Sequence, residues 1–163
     1  LHKKFEELEF VRIIQPDFLK AVPRYLFEQI EEADPEMIDR IYIVGEAALS
    51  SPTTVMYGLV DPALGIKGFL WASVDLIEAV LFVKIFSVDK EYQGGAIKGT
   101  IDFLTEQMKD SQIKRLESYA TRPQAYYRAG FVKSKQMHLI LEVRNGKNDK
   151  HKRPSDTAES VKP

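Results

Sequence analysis

Cysteine is absent from the 163 residues. Disulfides, thiolate nucleophiles and cysteine-ligated zinc are therefore excluded. Histidine is scarce: His2, His138 and His151 stand far apart, and no two share the spacing of metal ligands. No metal site is expected. An excess of charge is missing too, because 23 Lys and Arg face 24 Asp and Glu. That balance gives no global pull towards nucleic acid or anionic membranes. No apolar run reaches the roughly 18 residues a membrane span needs. The N-terminal LHKKFEELEF lacks the apolar core of a secretory signal. A cytoplasmic location is expected, or carriage inside a particle made in the cytoplasm. Two familiar phosphate motifs, GxxxxGK(S/T) and GxGxxG, are also lacking.

What remains is an ordinary globular composition, 44% hydrophobic and 29% charged, of a length that suits one domain with one sizeable core. The domain is expected over residues 1–144. From Asn145 the chain reads NGKNDKHKRPSDTAESVKP, too polar to bury an apolar face. Residues 145–163 are expected to form a flexible polar tail. Lys147, Lys150, Lys152 and Arg153 are interrupted there by Asp149, so no strong nucleic-acid signal arises.

Apolar spacing gives the element order. Leu8–Ile14 reads as a strand. Pro16-Asp17 opens a helix whose apolar face is Phe18, Val22, Leu26 and Ile30. Pro23 interrupts it, so the helix is kinked or starts late. Asp34-Pro35 reads as the cap and first turn of a second helix, ending near Leu49 before Ser50-Ser51-Pro52. Thr53–Val60, Ile66–Val74 and Ala79–Val88 read as strands of a meander. The third is apolar on both faces, which implies a central strand. A helix over Ala96–Lys109 presents Ile97, Ile101, Leu104 and Met108. Ile113–Ala120 reads as a strand and Arg122–Ala129 as a short helix ended by Gly130. Phe131–Val143 is expected to close the fold as one long strand or a strand pair. The fold class is α/β, a mixed sheet in β-α-α-β-β-β-α-β-α-β order with helices on both faces.

The most informative stretch is AVLFVKIFSVDKEYQGGAIKGTIDFL, residues 79–104. A strand runs into Gln93-Gly94-Gly95-Ala96 and then into a helix. The first N–H groups of a helix have no internal partner and the dipole is positive there, so such a turn suits a phosphate or pyrophosphate. A tight turn with no ligand is the plain alternative. Further on stands Ala125-Tyr126-Tyr127-Arg128-Ala129-Gly130-Phe131.

Together these two segments resemble the GNAT (Gcn5-related N-acetyltransferase) family, and the element order from Leu8 to Val143 is similar to that family's. The first resembles its Q/R-x-x-G-x-G/A turn, which holds the pyrophosphate of acetyl-CoA. The second resembles its FYxxxGF segment. The Gly94-Gly95 doublet is similar to turns of phage-encoded members. Ala96 and Lys98 stand where the motif has glycine. The Lys98 ammonium would bind phosphate, or its bulk would fill the site.

The resemblance implies acetyl-CoA as co-substrate, no metal, and transfer of an acetyl group to a primary amine of a small molecule or protein, by a monomer or homodimer. Donor-binding residues would be Phe86, Ser87, Val88, Gln93, Gly94, Gly95, Ala96, Ile97 and Lys98. Backbone groups of the first three would pair with the pantetheine amides in a gap between the fourth and fifth strands. Tyr126, four residues before Gly130, stands where the family often places its general acid. A phenol with a reference pKa of about 10 is a competent donor to a thiolate. Tyr127 would be its core or surface neighbour. The alternative reading is a catalytically inactive GNAT-fold binding or structural protein, with virion proteins as partners.

Three further residues are cleft candidates. Lys84 interrupts an apolar strand and calls for a partner such as Glu78, Asp75 or Glu117, or a route to solvent. By simple alternation it shares a face with Glu78, Val80, Phe82, Phe86 and Val88. Glu117 and Ser118 would line the same cleft. Trp71 reads as core and His138 as a surface or satisfied histidine.

Overall fold

The computed structural model describes residues 4–143. Two compact units arise, Leu1–Phe131 and Val132–Pro163. Among the described residues, every strand and helix belongs to the first. Its five strands are β1 (Glu9–Arg12), β2 (Thr54–Asp61), β3 (Gly65–Asp75), β4 (Val80–Val88) and β5 (Arg115–Ser118). They lie in the order β1-β2-β3-β4-β5. The first four are antiparallel neighbours, and β4 pairs with β5 in parallel. The helices are α1 (Pro16–Ala21), α2 (Tyr25–Glu28), α3 (Pro35–Ala48), α4 (Ala96–Met108) and α5 (Gln124–Arg128).

Proline punctuates the first half. Val22, just before Pro23, is extended at φ −64° and ψ 122°, as a pre-proline residue prefers. The expected kinked helix is therefore two short helices, α1 and α2. Asp34 then caps α3 by accepting the Met37 N–H at 2.7 Å, with Pro35 at the first helical position. On one face of the sheet, α1–α3 bury Leu19, Leu26, Phe27, Ile38 and Ile41 with Met56, Phe69 and Trp71. On the other, Ala96 and Leu104 of α4 pack with Leu59, Leu70, Leu81, Val83, Val88 and Tyr92. Burying each large side chain contributes about 1.5–3 kcal/mol. The most buried stripe of α4 is Ala96, Thr100 and Leu104; Ile97, Ile101 and Met108, expected at its centre, flank it half-buried.

Strand β4 is irregular at one point. Trp71 opposes Ile85 and Ala72 opposes Val83, so Lys84 has no opposite number in β3. This is a bulge. It reverses the alternation, so that Phe86 and Val88 join the α4 face with Leu81 and Val83. The shared face inferred from counting by twos is thus broken at Lys84.

Helix α5 ends in a Schellman motif. The Phe131 N–H donates to Tyr126 O and the Gly130 N–H to Tyr127 O, both at 3.0 Å, with Gly130 at φ +103°.

In the second unit, residues 132–143 form neither a helix nor a strand, and Val132, Met137, Leu139, Ile140, Leu141 and Val143 are exposed. The strand or strand pair expected over Phe131–Val143 is not formed. Apolar residues make a strand only against an edge that takes their backbone groups, and Ser134 bends the chain by accepting the Gln136 N–H at 3.0 Å. The tail expected over 145–163 lies outside the described residues.

Candidate active site

The site starts where β4 and β5 part. Their last paired residues are Val83 and Ser118, and β4 continues to Val88 with no strand beside it on that side among the described residues. The direction of the exposed groups follows from one bond. The Asp89 N–H donates to Lys67 O at 2.7 Å, towards β3. In a planar trans peptide the Val88 carbonyl then points the opposite way, into the opening. Phe86, two residues earlier, faces the same side. Ser87 alternates with them, so its backbone is turned to Phe69 in β3.

The Ser87 side chain meets α2 instead. Its hydroxyl donates to Leu26 O and accepts from Gln29 Nε2 at 3.1 Å. Gln29 Nε2 also donates to Val88 O at 3.2 Å, and Gln93 Nε2 donates to the same oxygen at 3.4 Å. Beside them lies an open cleft of about 490 Å³ lined by Tyr25, Glu28, Gln29, Asp89, Lys90 and Glu91. The Tyr25 phenol donates to Asp89 Oδ2 at 2.6 Å, while Asp89 Oδ1 accepts the Glu91 N–H at 2.9 Å. Burial works against the Asp89 carboxylate, but the Tyr25 and Glu91 hydrogen bonds and the Lys67 charge outweigh it. Its pKa is held below the ordinary range. The Tyr25 pKa is driven up by burial and by Asp89. Sequence reasoning missed Tyr25, Gln29 and Asp89, because only the fold brings α2 against the end of β4.

The glycine turn follows on a short 3₁₀ turn, Lys90–Tyr92. Tyr92 is its anchor: fully buried, it donates its phenol to Asp61. Burial and that carboxylate keep it protonated far above its usual range. Gly95 caps α4 at φ +76° with no side-chain partner. The Ala96 N–H bonds Gln93 O, and Gly99 N–H bonds Gly95 O. The N–H groups of Ile97 and Lys98 have no partner among the described residues. A Cβ added at Gly94 or Gly95 would meet nothing within 4 Å, so the turn is open to a ligand. The Lys98 side chain leaves that space free. Its ammonium reaches one turn along α4 to Asp102, at 2.9 and 3.0 Å.

The other cleft candidates do not converge. Lys84 lies over the Trp71 ring, 5.2 Å from its centroid, and not beside a carboxylate. Glu78 and Glu117 both pair with Arg115, at 3.6 and 2.6 Å. Ser118 ends β5 and donates to Tyr119 O at 3.2 Å. Trp71 is buried as expected. Tyr126 is half-buried and packs on Phe131, whereas Tyr127 is 48% exposed. His138 is exposed, in the second unit.

No sequence-family model matches this chain, and neither does any curated protein. Solved structures do. A GNAT-family protein from Desulfovibrio desulfuricans superposes at TM-score 0.65 and 16% identity, over 78% of this chain and 86% of that one. The fold is that of the GNAT acetyltransferases. An acetyltransferase from Trypanosoma brucei matches at TM-score 0.60 and 19% identity, over 82% of this chain and 99% of that one. AAC(6')-Iy, solved with the bisubstrate analogue CoA-S-monomethyl-acetylneamine, matches at TM-score 0.59 and 14% identity, over 84% of this chain and 99% of that one. Among the described residues of this GNAT fold, no group of three His, Cys, Asp or Glu is placed to hold a metal. No described helix is long and apolar enough to cross a membrane.

Proposed function

We propose that this chain is an N-acyltransferase that uses acetyl-CoA to acylate a primary amine of a small molecule or protein. One observation carries the reading. The side of β4 that no described strand covers, with Phe86 and Val88 turned into the opening, runs directly into the Gly95-capped N-terminus of α4. An extended arm with amides and a pyrophosphate at its end matches that sequence of groups.

In this reading an acyl-CoA, when bound, supplies an activated thioester. Phe86 and Val88 offer the strand hydrogen bonds for its arm. The N–H groups of Gly94, Gly95, Ile97 and Lys98, aided by the helix dipole, hold the phosphates. Gln93, at the head of the turn, and Ala96, buried beneath it, set its shape. The Tyr126 hydroxyl serves as general acid and returns a proton to the leaving thiolate. Lys84 and Ser118, beside the last β4–β5 pair, and Glu117, one residue earlier and held by Arg115, would border the acceptor singly and not as a cluster. The attacking amine must arrive neutral, and water relays its proton away.

Purified protein incubated with acetyl-CoA and a panel of primary amines tests this. The reading expects thiol release matched by amide formation on at least one amine. Release of thiol with no amide, or no reaction across the panel, refutes it. The second reading, a GNAT-fold binding or structural protein without catalysis, is favoured by Ala96 and Lys98 in place of glycine. It expects no turnover from the same panel.

A further inference from the structure

We propose that Gln29 is a specificity-determining residue of the donor site: its side-chain amide occupies, in the free protein, the acceptor that an amide-bearing ligand must take. The inference rests on the acyl-CoA reading above. A carbonyl oxygen has two lone pairs. Val88 O, the last acceptor on the open side of β4, uses both, for Gln29 Nε2 at 3.2 Å and Gln93 Nε2 at 3.4 Å. A third amide enters only if one of them leaves.

Gln29 is the one built to leave. Its Nε2 has two hydrogens, and the second is given to Ser87 Oγ at 3.1 Å. Ser87 is itself fixed by donating to Leu26 O. Gln29 therefore keeps an anchored partner when it gives up Val88 O. The Gln93 side chain has only Val88 O among the described residues and sits within the glycine turn itself. The exchange trades one hydrogen bond for another. In the free protein the same contact covers an edge that would otherwise invite another strand. Because Gln29 lies at the end of α2, the exchange also reports donor occupancy to the wall of the cleft beside it.

The ligand class is set by the chemistry. A molecule with amides spaced along an extended arm, such as CoA, competes with Gln29. A nucleotide with phosphates and no such arm, such as ADP, does not. Calorimetric titration of CoA and of ADP into the parent, Gln29→Leu and Gln29→Asn provides the test. Asparagine keeps the polarity and loses the reach. Both variants are expected to bind CoA roughly two- to tenfold more tightly, the worth of one net hydrogen bond, with ADP affinity unchanged. A CoA affinity that is unchanged, weaker, or altered in parallel with ADP overturns the proposal while leaving the acyl-CoA reading standing. A parent that binds neither ligand at millimolar concentration sinks both. A readout on the parent guards against poorly folded variants. The Gln29 side-chain N–H resonances should shift on adding CoA and stay fixed on adding ADP; equal responses contradict the exchange.

Discussion

Tyr126 and Phe131 meet edge to face, ring centroids 5.4 Å apart and planes at 81°, across the turn that ends α5. The backbone explains why. Tyr126 is the residue whose carbonyl takes the Phe131 N–H in the Schellman motif, and a hydrophobic contact between these two positions commonly accompanies it. The YxxxGF spacing thus has a structural cause independent of any chemistry. A catalytic role for the hydroxyl must be separated from the packing role of the ring.

Substitution separates them. Tyr126→Phe keeps the ring contact, so its urea midpoint should match the parent. If the phenol protonates the thiolate, kcat falls roughly 100- to 10,000-fold with donor affinity intact. Tyr127→Phe, at an exposed position, should be silent in both assays. Parent-like turnover in both variants removes Tyr126 from the mechanism.

Gly94 and Gly95 should respond differently, although both are open to solvent. Only Gly95 has positive φ, at +76°. Gly95→Val should therefore strain the turn and weaken CoA binding about tenfold or more, since a left-handed non-glycine residue costs ~1–2 kcal/mol. Gly94→Ala should change affinity little. Equal losses at both positions, measured by calorimetry, would show that backbone conformation is not what matters there.

The Tyr25–Asp89 bond makes a pH prediction. The folded-state pKa of Asp89 is depressed, so its contribution to stability is complete above the unfolded value of about 3.9. It fades as pH falls through the lower, folded-state pKa. Tyr25→Phe removes the phenol donor. A carboxyl-detected NMR titration should then place the Asp89 midpoint higher than in the parent. An unmoved midpoint would mean that Glu91 N–H and Lys67 alone hold it down.

Thr100 is buried on the inner face of α4, and its hydroxyl has no hydrogen-bond partner among the described residues. A valine of the same shape removes that unsatisfied group. Thr100→Val should raise unfolding stability by about 1 kcal/mol in a urea titration. A loss of stability would reveal a partner for the hydroxyl.

Much of this fold could be read from the chain, because the signals were local. Asp34-Pro35 announced the start of α3, and Gly130 the end of α5. The β4–turn–α4 unit was legible in AVLFVKIFSVDKEYQGGAIKGTIDFL. What escaped was set by tertiary pairing. The bulge at Lys84 reverses the faces of β4, and nothing in VLFVKIFSV marks it. Of the three carboxylates offered to Lys84, Arg115 takes Glu78 and Glu117 and the β3–β4 turn takes Asp75, and Lys84 settles over Trp71. Gln29 and Tyr25 lie about 60 residues before the strand end they contact. No local pattern pairs them with it. Residues 132–143 are apolar enough to read as a strand, but composition does not supply the edge a strand requires.

The most direct test of the account is CoA binding itself, followed as the unfolding midpoint at rising ligand concentration. Donor bound in the β4–β5 opening, at 100 times its dissociation constant, should add about 2.7 kcal/mol of stability. Gly95→Val, binding about tenfold more weakly, should keep only about half of that gain at the same ligand concentration. A midpoint unmoved by millimolar CoA would contradict the account.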